Sequence, residues 1–177
     1  MKVCLYGDPC LRKVASPICD LDKAQEIASH MLQAMKSYDG IGIAAPQIRI
    51  NYRMFAVSIP AGIHCRNTEG EIVIGASPTV FLNPSLSDFS QSMVDFEEGC
   101  LSIPCLKETV SRPSTVVLHA TLLSGQEISL MCGGLLGRCV QHECDHLDGI
   151  LFVDLLPKKV RKKIEPDLKK LRKKVIR

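Results

Sequence analysis

The sequence predicts an α+β fold: a single domain of antiparallel or mixed sheets packed around a helix that carries a His-Glu-x-x-His pattern, closed by a basic amphipathic C-terminal helix. Three observations predict it. Segments rich in β-branched residues precede the His-bearing helix rather than alternating with helices. The histidine pair sits in a stretch of helical periodicity from Gly133 to His146. From Pro157 onward, apolar residues recur at helical spacing on a background of lysine and arginine.

A chain of 177 residues fits one domain, with a body over 1–156 and a helical tail over 157–177 belonging to it. Apolar residues make up 46%, which suffices for a core and argues against disorder. Aromatics are only 5% and tryptophan is absent, so Leu, Ile and Val must supply most of the packing.

The elements follow in order. Gly7-Asp8-Pro9 reads as a turn. Asp22 to Tyr38 has the helical spacing of Ile27, Met31, Leu32 and Met35, with Asp20 or Asp22 as cap and Gly40 as stop. Gly40-Ile41-Gly42-Ile43-Ala44-Ala45-Pro46-Gln47 has too little bulk for an ordinary core strand and is too apolar for an ordinary loop. Arg53 to Ile59 reads as a strand, Ala61 to Pro78 as a surface loop or insertion, and Val80 to Pro84 as a strand ending in a turn. Val94 to Phe96 leads into Glu98-Gly99-Cys100-Leu101-Ser102, a glycine-containing turn. Thr115 to Leu123, Ser124-Gly125 and Glu127 to Met131 form a predicted hairpin. In the tail, Val160, Ile164, Leu168, Leu171 and Val175 form an apolar stripe, and Pro166 inside it should kink or restart the helix.

Charge and cysteine content narrow the function classes. The net charge of +3 covers an asymmetry, because residues 157–177 hold eleven Lys/Arg against two acids. No apolar run approaches the ~20 residues of a membrane span, and the first residues lack a secretory pattern. Nine cysteines without a CxxC pair, in a chain long enough to fold unaided, read as reduced thiols of a cytoplasmic protein rather than a disulfide framework.

The chemistry concentrates in Gln141-His142-Glu143-Cys144-Asp145-His146. On a helix, positions i and i+4 share a face, so both imidazoles can reach one cation at about 2.0–2.1 Å. Glu143, beside the first ligand, can hydrogen-bond and deprotonate a metal-associated water. Catalytic sites of this kind use three protein ligands and keep one position open. His30, His64, His119, the cysteines, Asp148 and Asp154 are all candidates for the third. Cys100 stands out because Gly99 permits close backbone approach and a thiolate offsets cation charge.

Taken together, Gly40 to Gln47, Glu98-Gly99-Cys100-Leu101-Ser102 and Gln141-His142-Glu143-Cys144-Asp145-His146-Leu147-Asp148-Gly149 resemble the three motifs of the peptide deformylase family, in the same order. Pro9-x-Leu11-Arg12, Asn83-Pro84 and Ile150-Leu151-Phe152 extend the resemblance over most of the chain. Ala61 to Pro78 departs from it in length, and Gly137 stands where alanine is expected.

The resemblance implies that Cys100, His142 and His146 hold the metal, with water in the fourth position. It implies ferrous iron, one per chain, with Zn2+ or Ni2+ able to occupy the site; ligand type alone suits iron and zinc equally. The implied substrate is the N-formyl group on the initiator methionine of nascent peptides, and the implied products are formate and a free amino terminus. Metal-generated hydroxide would be the nucleophile, and Glu143 would pass the water's proton to the departing amine. The Gln47 side chain and the Leu101 backbone N–H are the implied oxyanion donors. The substrate would run along the Gly40 to Ile43 segment, close to Gly42. Ile41, Phe96, Leu135 and Cys139 are the expected walls of the methionine pocket. The basic tail suits ribosomal RNA, since the substrate emerges from the ribosome, although a solvated helix packed on the body accounts for the same composition.

Overall fold

The computed structural model describes residues 1–59, 63–67, 70–74 and 77–175; of 63–67 and 70–74 only the strand pairing is described. Its largest sheet has five strands in the order β1 (Gly42–Ala44), β2 (Met54–Val57), β5 (Thr79–Ser87), β8 (Thr115–Leu122) and β9 (Glu127–Gly133). Every pairing in it is antiparallel. Two further hairpins stand beside it, β3 (Ile63–Asn67) with β4 (Gly70–Ile74), and β6 (Met93–Cys100) with β7 (Ile103–Pro113).

The five-stranded sheet is covered on both faces, and β2 shows why its sequence is uniformly apolar. Side chains alternate across a strand. Met54 and Ala56 point to a layer built with helix α1 (Leu21–Ser37), where Ala24, Ile27, Met31 and Met35 are buried. Phe55 and Val57 point to the opposite layer, built with helix α2 (Gly134–Leu147), where Leu136, Val140 and Leu147 are buried. Phe55 and Phe81 meet there with ring centroids 5.0 Å apart. A third cluster joins the N-terminal segment, β7 and helix α3 (Lys158–Val175) through Tyr6, Leu11, Ile103, Phe152, Ile164, Leu168 and Leu171. Helix α3 thus packs on the body through buried Ile164, Leu168 and Leu171.

Several expectations are corrected. Helix α1 is capped by Asp20, which accepts from the Lys23 N–H, but Asp39 rather than Gly40 takes the left-handed conformation after it, at φ 53°. Residues 63–67 and 70–74, expected in a surface loop, pair as a hairpin. The strand over Val80 to Pro84 does not end in a turn. Asn83 adopts φ 48°, the register slips between Leu82 and Ser85, and β5 continues to Ser87 as a bulged strand. Glu98 and Gly99 lie within β6 rather than in a turn, which is confined to Leu101-Ser102. No sequence expectation covers strand β7. Helix α3 passes through Pro166 without restarting, because buried Ile164 on one side and Leu168 and Leu171 on the other anchor both halves to the same cluster.

Candidate metal centre and active site

Helix α2 begins directly where β9 ends, with Gly133 as N-cap. A Cβ on Gly137 would stand 2.9 Å from the Cys132 carbonyl oxygen, so the expected alanine has no room in this strand-to-helix junction. The helix stops at Asp148 and Gly149, where φ is +73° and a Cβ would meet the Arg12 carbonyl oxygen at 2.8 Å. Between these ends, His142 and His146 lie one turn apart with ring centroids at 5.1 Å.

Cys100 reaches them from the end of β6. Its Sγ is 3.2 Å from His146 Nε2, and the ligand atoms of Cys100, His142 and His146 all lie within 4.8 Å of one another. Of the other third-ligand candidates, His119 is exposed and bonded to Ser87, and the His64 side chain lies outside the described residues. Asp148 pairs with Arg53 and Asp154 with Arg12, and His30 lies on α1.

The surroundings of Cys100, His142 and His146 suit a cation. His142 Nδ1 donates to Glu98 Oε2 at 2.9 Å, which fixes the tautomer and leaves Nε2 to face Cys100. Burial opposes charge on His142, yet the hydrogen bonds of Cys100 and Glu98 raise its pKa well above the usual imidazole range. Burial lowers that of His146, so one ring of the pair stays neutral. His146 Nδ1 and Glu143 Oε2 are buried with no hydrogen-bond partner among the described residues. A thiol, two imidazoles and an uncommitted carboxylate in one anion-rich place form a donor set that fits a thiolate-accepting dication.

Glu98 is the group sequence reasoning missed. It is 4% exposed and receives Arg112 through two nitrogens, at 2.6 and 3.0 Å, and Arg138 at 2.9 Å. Burial pushes its carboxyl up, but hydrogen bonds from His142 and Arg112 outweigh burial and hold it at about 2. The available signal was Arg138, four positions before His142 on the same helix face.

Glu143 is 4% exposed, and its carboxyl is pushed up to about 7, chiefly by burial; His142 opposes this, while Glu98 and Asp145 add to it. Its Oε1 lies against Gly42, where any Cβ would overlap it. Gln47, in the 3-10 turn Ala45–Ile48, is 1% exposed. Its Oε1 accepts from the Ala44 N–H at 2.8 Å, so Nε2 must face Ser102 Oγ at 3.2 Å and Cys100 Sγ at 3.6 Å. Ser102, another residue the sequence did not single out, thereby helps to hold that amide. Leu101 follows Cys100 directly, and its side chain packs so closely on Gly40 that a Cβ there would lie 2.8 Å from it.

These groups open onto one cavity of about 650 Å³. Ile41, Gly42, Phe96, Leu135 and Cys139 line it, as do Gln47, Cys100, Leu101, His142 and Glu143. His146 sits behind them, 1% exposed. Ile41 and Phe96 form an exposed rim, whereas Cys139 is buried, its thiol pushed up to about 12 by burial.

A family described as "Polypeptide deformylase" matches residues 1–162. "Peptide deformylase 2" of Gloeobacter violaceus is 42% identical over 149 residues, covering 84% of this chain and 74% of the relative. A peptide deformylase of Prochlorococcus marinus is 40% identical over 154 residues, 86% and 72% of the two chains. Among solved structures, Arabidopsis thaliana peptide deformylase 1B in complex with an inhibitor is 34% identical, with a TM-score of 0.85 over 98% of this chain and 91% of that one. Peptide deformylase from Thermus thermophilus is 32% identical, with a TM-score of 0.84 over 98% of both chains. On fold, family match and sequence identity together, the chain belongs to the polypeptide deformylase family.

Proposed function

We propose that this chain removes the N-formyl group from the initiator methionine of newly made polypeptides by metal-assisted hydrolysis, releasing formate and a free amino terminus. One observation carries the reading: the unpartnered Glu143 carboxylate and the pinned Gln47 amide converge on Cys100, His142 and His146 at one cavity. Cys100, His142 and His146 would hold one ferrous ion per chain, with Zn2+ or Ni2+ as alternative occupants. When bound, it supplies Lewis acidity, lowering the pKa of water and polarising the formyl oxygen.

Glu143 accepts the proton of the attacking water and delivers it to the departing amine; a carboxyl raised toward neutrality by burial suits both tasks. Gln47 Nε2 and the Leu101 N–H donate to the oxygen on which negative charge develops. Strand β1 is an edge of the five-stranded sheet, so an extended peptide can pair with it, and Gly42 lets the backbones approach. Leu135 and Cys139, with Ile41 and Phe96 at the rim, receive the methionine side chain. The exposed lysines of α3 suit the RNA of the ribosome, from which nascent chains emerge into the bacterial cytoplasm; no helix among the described residues is long and apolar enough to cross a membrane.

The test is an anaerobic assay of the iron-loaded protein on a formyl-methionyl peptide. Formate release with all internal bonds intact is the expected result. Internal cleavage without formate would establish a peptidase instead.

A further inference from the structure

A second cluster of ligating groups lies outside the cavity. Cys4 and Asp8 come from the N-terminal segment, and Cys10 from the 3-10 turn Pro9–Arg12 that Asp8 caps. The two sulfurs and a carboxylate oxygen all lie within 4.8 Å of one another. Cys4 and Asp8 are buried and Cys10 is half-buried. Tetrahedral coordination by thiolates at about 2.3 Å and a carboxylate at 2.0–2.2 Å requires donors roughly 4 Å apart. Three donors within 4.8 Å of one another are compatible with that geometry.

Their electrostatics point the same way. A hydrogen bond from Cys10 and the nearby Arg49 guanidinium ease ionisation of Cys4, whereas Cys4, burial and Asp8 all strongly oppose ionisation of Cys10. Ionisation is therefore easier at Cys4 than at Cys10. Two thiolates, Asp8 and Arg49 together carry a charge of −2, which a divalent cation would neutralise. Asp8 accepts from the Cys10 N–H at 3.1 Å through one oxygen and from Arg49 at 2.6 Å through the other. The carboxylate also accepts from the Cys10 thiol, a hydrogen bond that loss of the thiol proton on metal binding would free for a metal–oxygen bond.

The location also matters. The Cys4 N–H donates to the Gln47 carbonyl at 2.7 Å, and the Tyr6 N–H to the Ser102 carbonyl at 2.8 Å. The segment bearing Cys4 thus ties together the two turns that carry Gln47 and Leu101.

We propose that Cys4, Asp8 and Cys10 form a second site for a thiophilic divalent cation of the zinc class, separate from the Cys100–His142–His146 centre, with its fourth position open on the half-exposed Cys10 side. Binding releases to solvent whatever protons the two sulfurs carry, forms two metal–sulfur bonds and one metal–oxygen bond, and changes no oxidation state. The bound cation then anchors the N-terminal segment beneath the Gln47 turn.

The test is zinc stoichiometry on reduced, chelator-stripped full-length protein, measured without substrate so that it stands apart from the deformylase reading. Wild type should bind two equivalents, Cys10→Ser one, and Cys100→Ser one. Asp8→Asn should weaken the second equivalent, and iron-loaded Cys10→Ser should release formate at the wild-type rate. Circular dichroism checks the fold of each variant, and Cys10→Ala serves if the serine variant is unfolded. A single equivalent in wild type, or a second one that survives Cys10→Ser, overturns the proposal.

Discussion

Gly42 and Glu143 compete for the same space: the glycine has no side chain because the carboxylate occupies the position its Cβ would take. Gly42→Ala should therefore displace the Glu143 carboxylate while sparing Cys100, His142 and His146. We expect retained metal and a kcat for formate release lower by about 10²–10⁴-fold, the usual worth of a positioned acid/base group; metal analysis beside steady-state kinetics checks both. Glu98 makes a prediction of a different kind. Its folded pKa of about 2 lies below the roughly 4.3 of an unfolded glutamate, so its stabilising contribution is complete above about pH 5 and disappears as pH falls toward 2. Denaturant midpoints of wild type should fall across that window, and Glu98→Gln should lack this component; equal pH slopes in the two proteins would contradict the assignment. His142, Glu143 and His146 were legible from their spacing alone. Glu98 was not, because its partners Arg112 and Arg138 stand 14 and 40 positions away.

At the level of elements, what could be read from sequence depended on burial. Helix α1 buries one face, so its apolar periodicity predicts it; α2 is buried almost all round and is marked instead by its His-Glu-x-x-His spacing, and the β8–β9 hairpin has a clear turn at Ser124-Gly125. Strand β6 is exposed at five consecutive positions from Met93, which leaves no alternation to detect, and its partner β7 follows a two-residue turn without glycine. The continuity of α3 through Pro166 was hidden for a related reason. Local rules give the cost of the missing N–H, but not the packing of Leu168 and Leu171 that offsets it. Leu168 is fully buried. Leu168→Ala should destabilise the domain by about 2–5 kcal/mol in chemical denaturation, the range for emptying a buried leucine site. A change below about 0.5 kcal/mol would mean that α3 is not docked in solution.

For the whole molecule, an acidic body carries a basic helix whose lysines face outward. Replacing Lys169, Lys170 and Lys173 by glutamate should weaken ribosomal RNA binding, with formate release from a short peptide unchanged. The slope of log affinity against log salt should flatten by roughly 0.7–0.9 for each phosphate that is no longer neutralised. Unaltered binding and salt slope would reduce the tail to a packing element. The larger point is that three segments far apart in sequence, Gly40 to Gln47, Glu98 to Ser102 and Gln141 to His146, meet at one cavity. Their joint presence was readable as a family pattern; the interlocking of Gly42 with Glu143, and of Glu98 with His142, required the fold. The most direct measurement is anaerobic formate release from a formyl-methionyl peptide by wild type and Glu143→Ala, with metal content determined on both. Equal metal occupancy with activity lower by about 10²–10⁴-fold in the variant is the predicted result. A Glu143→Ala protein that keeps both its metal and its full rate would contradict the proposed chemistry.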